Sequence, residues 1–337
     1  MDSITHIVLG AAIGEAMLGK KIGKKGMLWG ALANSLPDID VAANFFADPV
    51  NALLIHRGIT HSIFFAVVIS PLLAYLFYKT HLKHFLSYKL CWLFFLIAII
   101  AHDAIDVCTA YGTGLLEPFS HQRFSLDSIF VADPLYTLPL IISFITLLIL
   151  KRNSDKRRMV SNAGIILSSV YLLLTFINKI NVDHIMKQNL QEQNIFYTGY
   201  MTTPAPLNNA LWYMIAKNDS SYYTGYYSIF DSDKKIPFRK SPVNEKLLEN
   251  FPDDPVIEKL KFFSNGFYSI NKKDADEIYF NDLRFGQAAG WAKPDSRFVF
   301  SYRLKNVADN VVMLRRTDLD VSWKEAFKSL WKRMMGN

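Results

Sequence analysis

Residues 56–78, HRGITHSIFFAVVISPLLAYLFY, decide the fold of this chain. Two histidines, His56 and His61, flank a glycine-containing turn, and the apolar run Ser62–Tyr78 that follows predicts a membrane helix. The histidines therefore lie where the chain leaves water and enters lipid. Neutral imidazole is the commonest protein metal ligand, and ionisable groups at membrane depth are usually functional because they are costly there. The alternative is that both histidines simply tolerate an interfacial position.

Five further apolar runs predict an α-helical polytopic membrane bundle of about five to six spans. They are residues 4–18, 26–36, 90–106, 134–150 and 163–177. The first two are shorter than the ~20 residues that a perpendicular span needs. They predict either a tight helical hairpin with protruding ends or a hairpin sheltered by other helices. Gly10 and Gly14, four apart, have the small-residue spacing that lets helices pack closely. We expect Glu15 to pair with a lysine of the turn that follows.

The formal net charge of +7 is concentrated in short loops between the apolar runs, at residues 20–25, 79–89 and 151–158. In a membrane protein such clusters indicate orientation rather than nucleic-acid binding, so no nucleic-acid partner is expected. All three loops fall on one side, which the positive-inside rule makes cytoplasmic. We therefore expect a multi-pass protein of the bacterial cytoplasmic (inner) membrane, with residues 37–61 and 102–133 and the C-terminal half outside.

Cysteine chemistry and targeting add little. Cys91 and Cys108 can build neither a disulfide framework nor a cysteine-type zinc site. The start, Met1-Asp2-Ser3, lacks the basic region of a secretory signal peptide, so we expect it in the mature protein.

The second half of the chain differs from the first, so we expect a membrane-embedded domain at 1–180 and a smaller, strand-rich extracytoplasmic α+β domain at 181–337. Asp253-Asp254-Pro255 predicts a capped helix. The basic, amphipathic segment Trp323–Met335 could lie on a membrane surface or pack on its own domain. Alternating or β-branched and aromatic residues predict strands at Leu211–Lys217, Tyr222–Phe230, Phe267–Ile270, Glu277–Phe280 and Phe298–Leu304.

The acids and histidines of the membrane half converge at the outer ends of the expected spans. They are His6, Asp38, Asp40, His56, His61, His102, Asp103 and Asp106. His102 and Asp106 are four apart and share a helix face, whereas Asp103 points about 100° away from His102. His81 and His84, by contrast, sit among lysines in a solvated loop.

Nitrogen and carboxylate ligands of this kind suit a borderline divalent ion, and carboxylates can bridge two ions. Such a centre activates water at neutral pH and, with two or more ions, stabilises both the attacking and the leaving oxygen of a phosphoryl displacement. The alternative is a buried polar network that holds the helices together.

Four motifs in order carry a resemblance to a known family: THIVLGAAIGEA, PDID, HRGITHS and HDAIDVCTAYGTGLLEPFS. The first half resembles the YdjM-type family of membrane-bound metal-dependent hydrolases, and the continuation PFSHQRF…DPLYTLPL is similar to longer members with an extra C-terminal domain. The resemblance implies a hydrolase without defining its substrate.

A more distant similarity, to zinc-dependent phospholipase C and P1-type nucleases, implies one to three divalent ions, with Zn²⁺ the expected metal. Its pattern implies these metal ligands: His6, Asp38, His61, His102 and Asp106. His56 and Asp40 match only the YdjM-type family, which extends the expected ligand set to them. Asp103 matches neither pattern.

The leading hypothesis is a metal-dependent hydrolase that cleaves a phosphoester of a phospholipid or lipid-linked substrate at the outer headgroup level, with the bilayer as its partner. Asp38 or Asp40 would orient or deprotonate the water, and Arg57 would offset charge on the phosphoryl group or anchor the helix end at the headgroups. The alternatives are a metal or solute carrier, although transport sites usually lie near the midplane, and a structural or regulatory membrane protein with a stabilising metal.

Overall fold

The computed structural model describes residues 1–80, 86–250, 254–274, 277–304, 306–307, 311–312 and 322–336. His81, His84 and Asp253 lie outside the described residues. The chain divides into two compact units. The first comprises Met1–Phe46, Ile55–Ile177 and Pro206–Asn208, and the second comprises Ala47–Leu54, Asn178–Ala205 and Asn209–Asn337.

All six apolar runs of the N-terminal half form helices. In chain order the helices of this half are α1 (Ser3–Ile22), α2 (Lys25–Asn34), α3 (Pro49–Ile55), α4 (Ile63–Lys79), α5 (Tyr88–Val107), α6 (Pro134–Ile149) and α7 (Lys156–Glu192), with 3-10 helices at Pro37–Phe45 and Ile59–His61. Side-chain oxygens cap several of them, because the first backbone N–H groups of a helix lack partners. Asp133 accepts hydrogen bonds from the N–H groups of Leu135 and Tyr136 and so caps α6.

Several of these helices are suited to lipid. Among the described residues, α5 and α7 are long and apolar enough to cross a membrane, and a third span results if Pro49–His61 and Ile63–Lys79, bent by 58°, count as one. The shorter α6 is also apolar. Large apolar side chains stay exposed along the helices, for example Val67 and Leu72 on α4 and Leu138 and Ile142 on α6. Contiguous apolar surface of this kind marks a membrane-facing region, and the first unit is a helical membrane unit.

Glycines bring α1 and α2 into direct backbone contact. A Cβ atom at Gly14 would overlap the carbonyl oxygen of Gly26, and one at Gly30 would overlap that of Gly10. A larger residue would therefore force the two backbones apart. The close-packing role expected for Gly10 and Gly14 is confirmed, with Gly26 and Gly30 as the partners that complete it.

Glu15 pairs with Arg157 of α7, so the expected lysine partner was wrong. The two carboxylate oxygens of Glu15 accept from Nε and Nη2 of Arg157 at 2.8 and 2.7 Å. The remaining Nη1 of Arg157 donates to the carbonyls of Leu147 and Leu150 at 2.7 and 3.0 Å. A guanidinium can satisfy a buried carboxylate through two parallel bonds, which a lysine ammonium cannot do.

The second unit contains two antiparallel sheets. The first has the order β1-β2-β3-β4 and the second the order β5-β6-β7. The strands are β1 (Gly199–Pro204), β2 (Leu211–Lys217), β3 (Ser221–Ser228), β4 (Arg239–Pro242), β5 (Tyr268–Asp274), β6 (Glu277–Gln287) and β7 (Phe298–Leu304), followed by a short hairpin of β8 (Asn306–Val307) and β9 (Val311–Val312). A 3-10 helix at Glu245–Asn250 and the helices α8 (Pro255–Phe263) and α9 (Trp323–Met334) complete the unit.

The core of the second unit begins on the last turns of α7. Val182, Met186 and Leu190 pack against Trp212 and Met214 of β2. All five strand predictions fall on strands, and those for β2 and β7 match the observed bounds. Asp254 caps α8, as its sequence indicates, by accepting from the N–H of Val256. The strands β1, β4, β8 and β9 were missed: β1 and β4 show no clear alternation of apolar and polar residues, and β8 and β9 are only two residues long.

An early segment of the chain also belongs to the second unit. Within Ala47–Leu54, Val50 and Ala52 are buried, and Leu53 packs against the apolar cluster built on α8, β5, β6 and β7. Nζ of Lys259 donates to Oδ1 of Asn51 at 2.8 Å. These eight residues separate two parts of the candidate site in sequence, since Asp38 and Asp40 precede them and His56 and His61 follow.

Replacing Glu15 with Leu should lower the free energy of unfolding of the detergent-purified protein by about 3–5 kcal/mol, because it leaves the buried Arg157 guanidinium unpaired. The double variant Glu15→Leu/Arg157→Leu should recover most of that loss, since no unpaired charge remains. Equilibrium unfolding of the two variants beside the unchanged protein measures both effects. Equal stability of the single and double variants would contradict this account.

Candidate metal centre

Four separate segments contribute the side chains of the candidate site. His6 lies in the first turns of α1, and His102 and Asp106 lie in the last two turns of α5. Asp38 and Asp40 lie in the 3-10 helix Pro37–Phe45. His56 and His61 flank the turn before α4, and a 3-10 helix places the His61 ring in the buried interior.

One group contains Asp38, His61, His102 and Asp106, each with one ligand atom within 4.8 Å of all the others. Nε2 of His61 lies 3.0 Å from Nε2 of His102. The same His61 nitrogen lies 3.5 Å from Oδ1 of Asp38 and 3.4 Å from Oδ2 of Asp106. Nε2 of His102 lies 3.7 and 3.5 Å from these two oxygens. Two imidazole nitrogens that face each other at this distance need a proton or a metal ion between them.

Four of these five distances fit or nearly fit a tetrahedral ion, and the fifth, 3.0 Å between the two imidazole nitrogens, is shorter. Zinc binds nitrogen and carboxylate oxygen at about 2.0–2.2 Å, so neighbouring ligand atoms of a tetrahedral site lie roughly 3.3–3.6 Å apart. Four of the measured ligand separations, 3.4, 3.5, 3.5 and 3.7 Å, lie at or near that range. The donor set, two imidazoles and two carboxylates, is also one that a borderline divalent ion accepts.

A second group shares one carboxylate with the first. Asp38, Asp40 and His56 also bring one ligand atom each within 4.8 Å of one another. Asp38 is thus common to both groups and is suited to bridging two ions. The side chains of Asp38 and His56 are 23% and 27% exposed, whereas those of His61, His102 and Asp106 are at most 1% exposed. The second group is therefore open to solvent at Asp38 and His56, whereas the side chain of its third member, Asp40, is 2% exposed.

Hydrogen bonds on the far side of each ring orient the central histidines. Nδ1 of His102 lies 2.6 Å from the carbonyl oxygen of Asn34, to which it can donate. Nδ1 of His61 lies 3.1 Å from Oδ2 of Asp40. When Nδ1 donates its proton, Nε2 carries a free lone pair, and an acceptor on Nδ1 is the usual support of a metal-binding imidazole. Both Nε2 atoms then point to the same spot.

Asp40 is held by several donors at once. Its oxygens accept from the N–H of Arg57 at 2.9 Å, from Oγ1 of Thr60 at 2.8 Å and from the rings of His56 and His61. Burial raises the pKa of the Asp40 carboxyl, but the hydrogen bonds with His56 and His61 lower it more, so the net pKa lies below its usual range. Burial also raises the pKa of the Asp38 carboxyl, but the hydrogen bond with His61 and the neighbouring His102 lower it more, so the net pKa again lies below its usual value. Both carboxyls are therefore ionised at neutral pH.

His6 lies beside this set and is not part of either group. Its ring stacks on that of His102 with centroids 3.7 Å apart, and its Nε2 lies 3.2 Å from Oδ1 of Asp106. The α-amino group of Met1 contacts the same Asp106 oxygen. Asp103 is buried, and neither of its oxygens has a hydrogen-bond partner among the described residues.

Arg57 points into the protein. It is 4% exposed, and its Nε lies 3.1 Å from Oδ2 of Asp106, while Nη1 donates to Oγ1 of Thr109 at 2.7 Å. Its backbone adopts φ = 60°, a left-handed conformation that is uncommon for residues other than glycine. A substrate phosphoryl oxygen would have to compete with Asp106 for this guanidinium.

Three residues of the site were not predicted from the sequence: Asn34, Thr60 and Thr109. The carbonyl oxygen of Asn34 is within hydrogen-bond distance of His102, Oγ1 of Thr60 donates to Asp40, and Oγ1 of Thr109 accepts from Arg57. Thr60 could have been found, because it adjoins His61 within one motif. Asn34 is a polar residue inside an apolar run, which is a weaker signal. Nothing in the local sequence of Thr109 indicates its contact with Arg57, which depends on the fold.

Comparisons with known proteins give the following. The profile of a family described as "YdjM inner membrane protein" matches residues 1–182. The chain is 27% identical over 305 residues to the uncharacterized protein YfhP of Bacillus subtilis (strain 168), covering 85% of this chain and 87% of YfhP. It is 33% identical over 123 residues to the inner membrane protein YbcI of Escherichia coli (strain K12), covering 36% of this chain and 69% of YbcI. No solved structure matches the chain significantly.

Replacing His102 with Gln should abolish stoichiometric zinc binding, because it removes one of the four convergent ligand atoms. Asp40→Ala should weaken zinc binding about 10–100-fold, since it removes the acceptor that orients His61. Elemental analysis of detergent-purified protein, with chelator competition for the affinity, measures both effects.

His121→Gln is the matched control, because this histidine lies on an exposed loop with its side chain 78% exposed. It should leave metal content and affinity unchanged. A His102→Gln protein that keeps its full zinc content would exclude this centre.

Proposed function

Since the family profile spans residues 1–182, more than half of the chain, this protein belongs to the YdjM inner membrane protein family, and we propose that it is a metal-dependent hydrolase that cleaves a phosphoester. Membership and the apolar helices make it a protein of the cytoplasmic membrane. The proposed substrate is a phospholipid or another lipid-linked phosphoester, and the proposed ion is Zn²⁺.

The observation that carries this proposal is the spacing of the four ligand atoms of Asp38, His61, His102 and Asp106. They converge on one point with separations that suit a divalent ion, and Asp38 extends the set to a second group on the solvent side. Adjacent ions are the arrangement that best stabilises both the attacking and the leaving oxygen of a phosphoryl displacement. This favours a phosphoester over a carboxylic ester or an amide.

A topology of five to six spans, with the site and the second unit on the extracytoplasmic side, is part of the proposal. The basic residues Lys20, Lys21, Lys24 and Lys25 lie at the turn between α1 and α2, and Lys79 ends α4. The site residues occupy the opposite ends of α1, α4 and α5. A cysteine at the exposed Asp219 should therefore react with a membrane-impermeant maleimide on intact cells, and labelling only after lysis would contradict this orientation.

The residues of the chain would divide the chemical work as follows. A bound divalent ion would polarise a phosphoryl oxygen and acidify a water molecule. Asp38, the most solvent-accessible carboxylate of the first group, would orient that water and take up its proton. Asp40 would hold the rings of His56 and His61. The guanidinium of Arg57, 3.1 Å from Asp106, would offset the negative charge of that carboxylate. It would also offset the negative charge of a phosphoryl group bound beside Asp106.

A structural role for the metal is the second candidate, and one observation favours it. Asp106 contacts His6, Arg57, His61 and His102, which come from two different parts of the chain besides its own helix. An ion in this position would hold those segments together whether or not it turned over a substrate.

Asp38→Asn should lower kcat/KM for hydrolysis of a phospholipid phosphoester by about 10²–10⁴-fold, the range by which a positioned acid or base usually accelerates a reaction. The assay follows release of phosphate or diacylglycerol from a panel of bacterial phospholipids by zinc-loaded protein. Asp155→Asn, which makes the same chemical change on an exposed loop, is the matched control and should keep full activity.

The structural candidate gives a different result in the same preparation. A zinc-loaded protein that turns over no member of the panel, yet melts at a much lower temperature after chelation, would favour the structural role over the hydrolase. Full activity of the chelated protein would exclude a metal-dependent reaction.

A further inference from the structure

One side of the helix α9 packs against the rest of the second unit. Leu330 is buried in a cluster with Ala205 and Leu211. The guanidinium of Arg333 makes two bonds to Asp231, at 2.7 and 2.9 Å. Nε1 of Trp291 donates to Oγ of Ser329 at 3.0 Å, on the same side of the helix. Of the two expectations for Trp323–Met335, packing on its own domain is therefore confirmed, and it occupies only one side of the helix.

The other side presents a row of large aromatic residues to solvent. Trp323, Phe327 and Trp331 are 75%, 51% and 65% exposed. They are spaced four apart, so they form one continuous stripe along the helix. Met335, 55% exposed, extends the stripe at its end, and Phe230, 56% exposed, lies on the chain segment that contacts Gly336. Each of these residues is at least half exposed.

A second stripe runs beside the aromatic one and is basic. Lys324, Lys328 and Lys332 each follow one of the aromatic residues, and all three are exposed. The only acidic residue on α9 is Glu325, which lies 3.9 Å from Lys293. The free side of α9 is thus aromatic along one line and cationic along the next, and its net charge is positive.

This combination distinguishes between the surfaces that α9 could bind. Trp is enriched at the membrane–water interface, where an amphipathic ring sits at the headgroup level. Lysine can extend its stem along apolar surface and keep its ammonium group among phosphates. Protein–protein interfaces also favour Trp and Phe, but they are depleted in lysine. Three lysines beside three aromatic residues therefore favour a lipid surface.

We propose that α9 is an interfacial anchor through which the second unit binds a bilayer surface that contains anionic phospholipid. The ligand is the lipid headgroup region, with Trp323, Phe327 and Trp331 inserted at headgroup depth and Lys324, Lys328 and Lys332 bound to phosphates. A weak contact suffices, because the chain's own membrane helices keep the second unit at a high effective concentration near the bilayer. The proposal does not depend on hydrolase activity.

Fluorescence quenching in proteoliposomes of the full-length protein tests this. Cys91 and Cys108 are replaced by Ala, and a single cysteine at Phe327 carries an environment-sensitive fluorophore. The matched control carries the same label at Asp219, an exposed loop residue of the same unit. In vesicles of phosphatidylcholine with phosphatidylglycerol, shallow spin-labelled lipid should quench the label at position 327 several-fold more than the control label. Aqueous iodide should show the opposite preference.

The lysines supply the second arm of the experiment. Each lysine near an anionic surface contributes roughly a five-fold preference for the bound state. Lys324→Gln, Lys328→Gln and Lys332→Gln should therefore reduce lipid quenching stepwise in vesicles with phosphatidylglycerol, and much less in pure phosphatidylcholine. Equal access of iodide to positions 327 and 219 would overturn the proposal. Protection at 327 that depends on the protein-to-lipid ratio and not on lipid charge would also overturn it, in favour of a second copy of the chain.

Discussion

The buried carboxylate of Asp106 is the constraint on which the first unit depends. An isolated carboxylate in an apolar interior is expensive, and it persists only when positive charge or hydrogen-bond donors surround it. Here the chain supplies Arg57 at 3.1 Å, His6 at 3.2 Å and the α-amino group of Met1, with His61 and His102 close by. To reach this one group, the chain must bring together α1, the turn before α4, and α5. Burial of Asp106 and the packing of these three segments are therefore coupled.

Backbone contacts at the glycines complement this polar centre. Where α1 and α2 meet through Gly10, Gly14, Gly26 and Gly30, dispersion forces act at short range without any side-chain hydrogen bond. At one end of α1 a polar cluster joins the helices, and farther along, at Glu15, a bidentate ion pair does so. The helices of the membrane unit are thus held together by a few specific polar contacts and by close packing elsewhere. Lipid provides no hydrophobic driving force for apolar helix surfaces to associate.

Local pattern predicted much of this molecule, and the failures at the polar contacts share one cause. The apolar runs, the cap at Asp254, and the spacing of His102 and Asp106 depend on residues close in sequence, and each corresponds to an observed element. Glu15 finds its partner 142 positions away, and the support of Asn34 for His102 spans 68 positions. Such pairs depend on tertiary packing, which cannot be predicted from the sequence of one segment alone. The same applies to Ala47–Leu54, a stretch that lies among residues of the first unit but packs within the second.

That stretch has a consequence for how the protein is made. Asn51 and its partner Lys259 are 208 positions apart, so at roughly 5–20 residues per second the ribosome adds the partner some ten to forty seconds later. During that interval Ala47–Leu54 has no core to join, although the chain on both sides of it already carries Asp38, Asp40, His56 and His61. The segment between these two pairs of side chains can complete its packing only after most of the C-terminal half has been synthesised. Packing of the chain between the two pairs of candidate ligands is therefore a late, post-insertional step in biogenesis, and a ribosome that stalls before α8 leaves that segment without the residues it packs against.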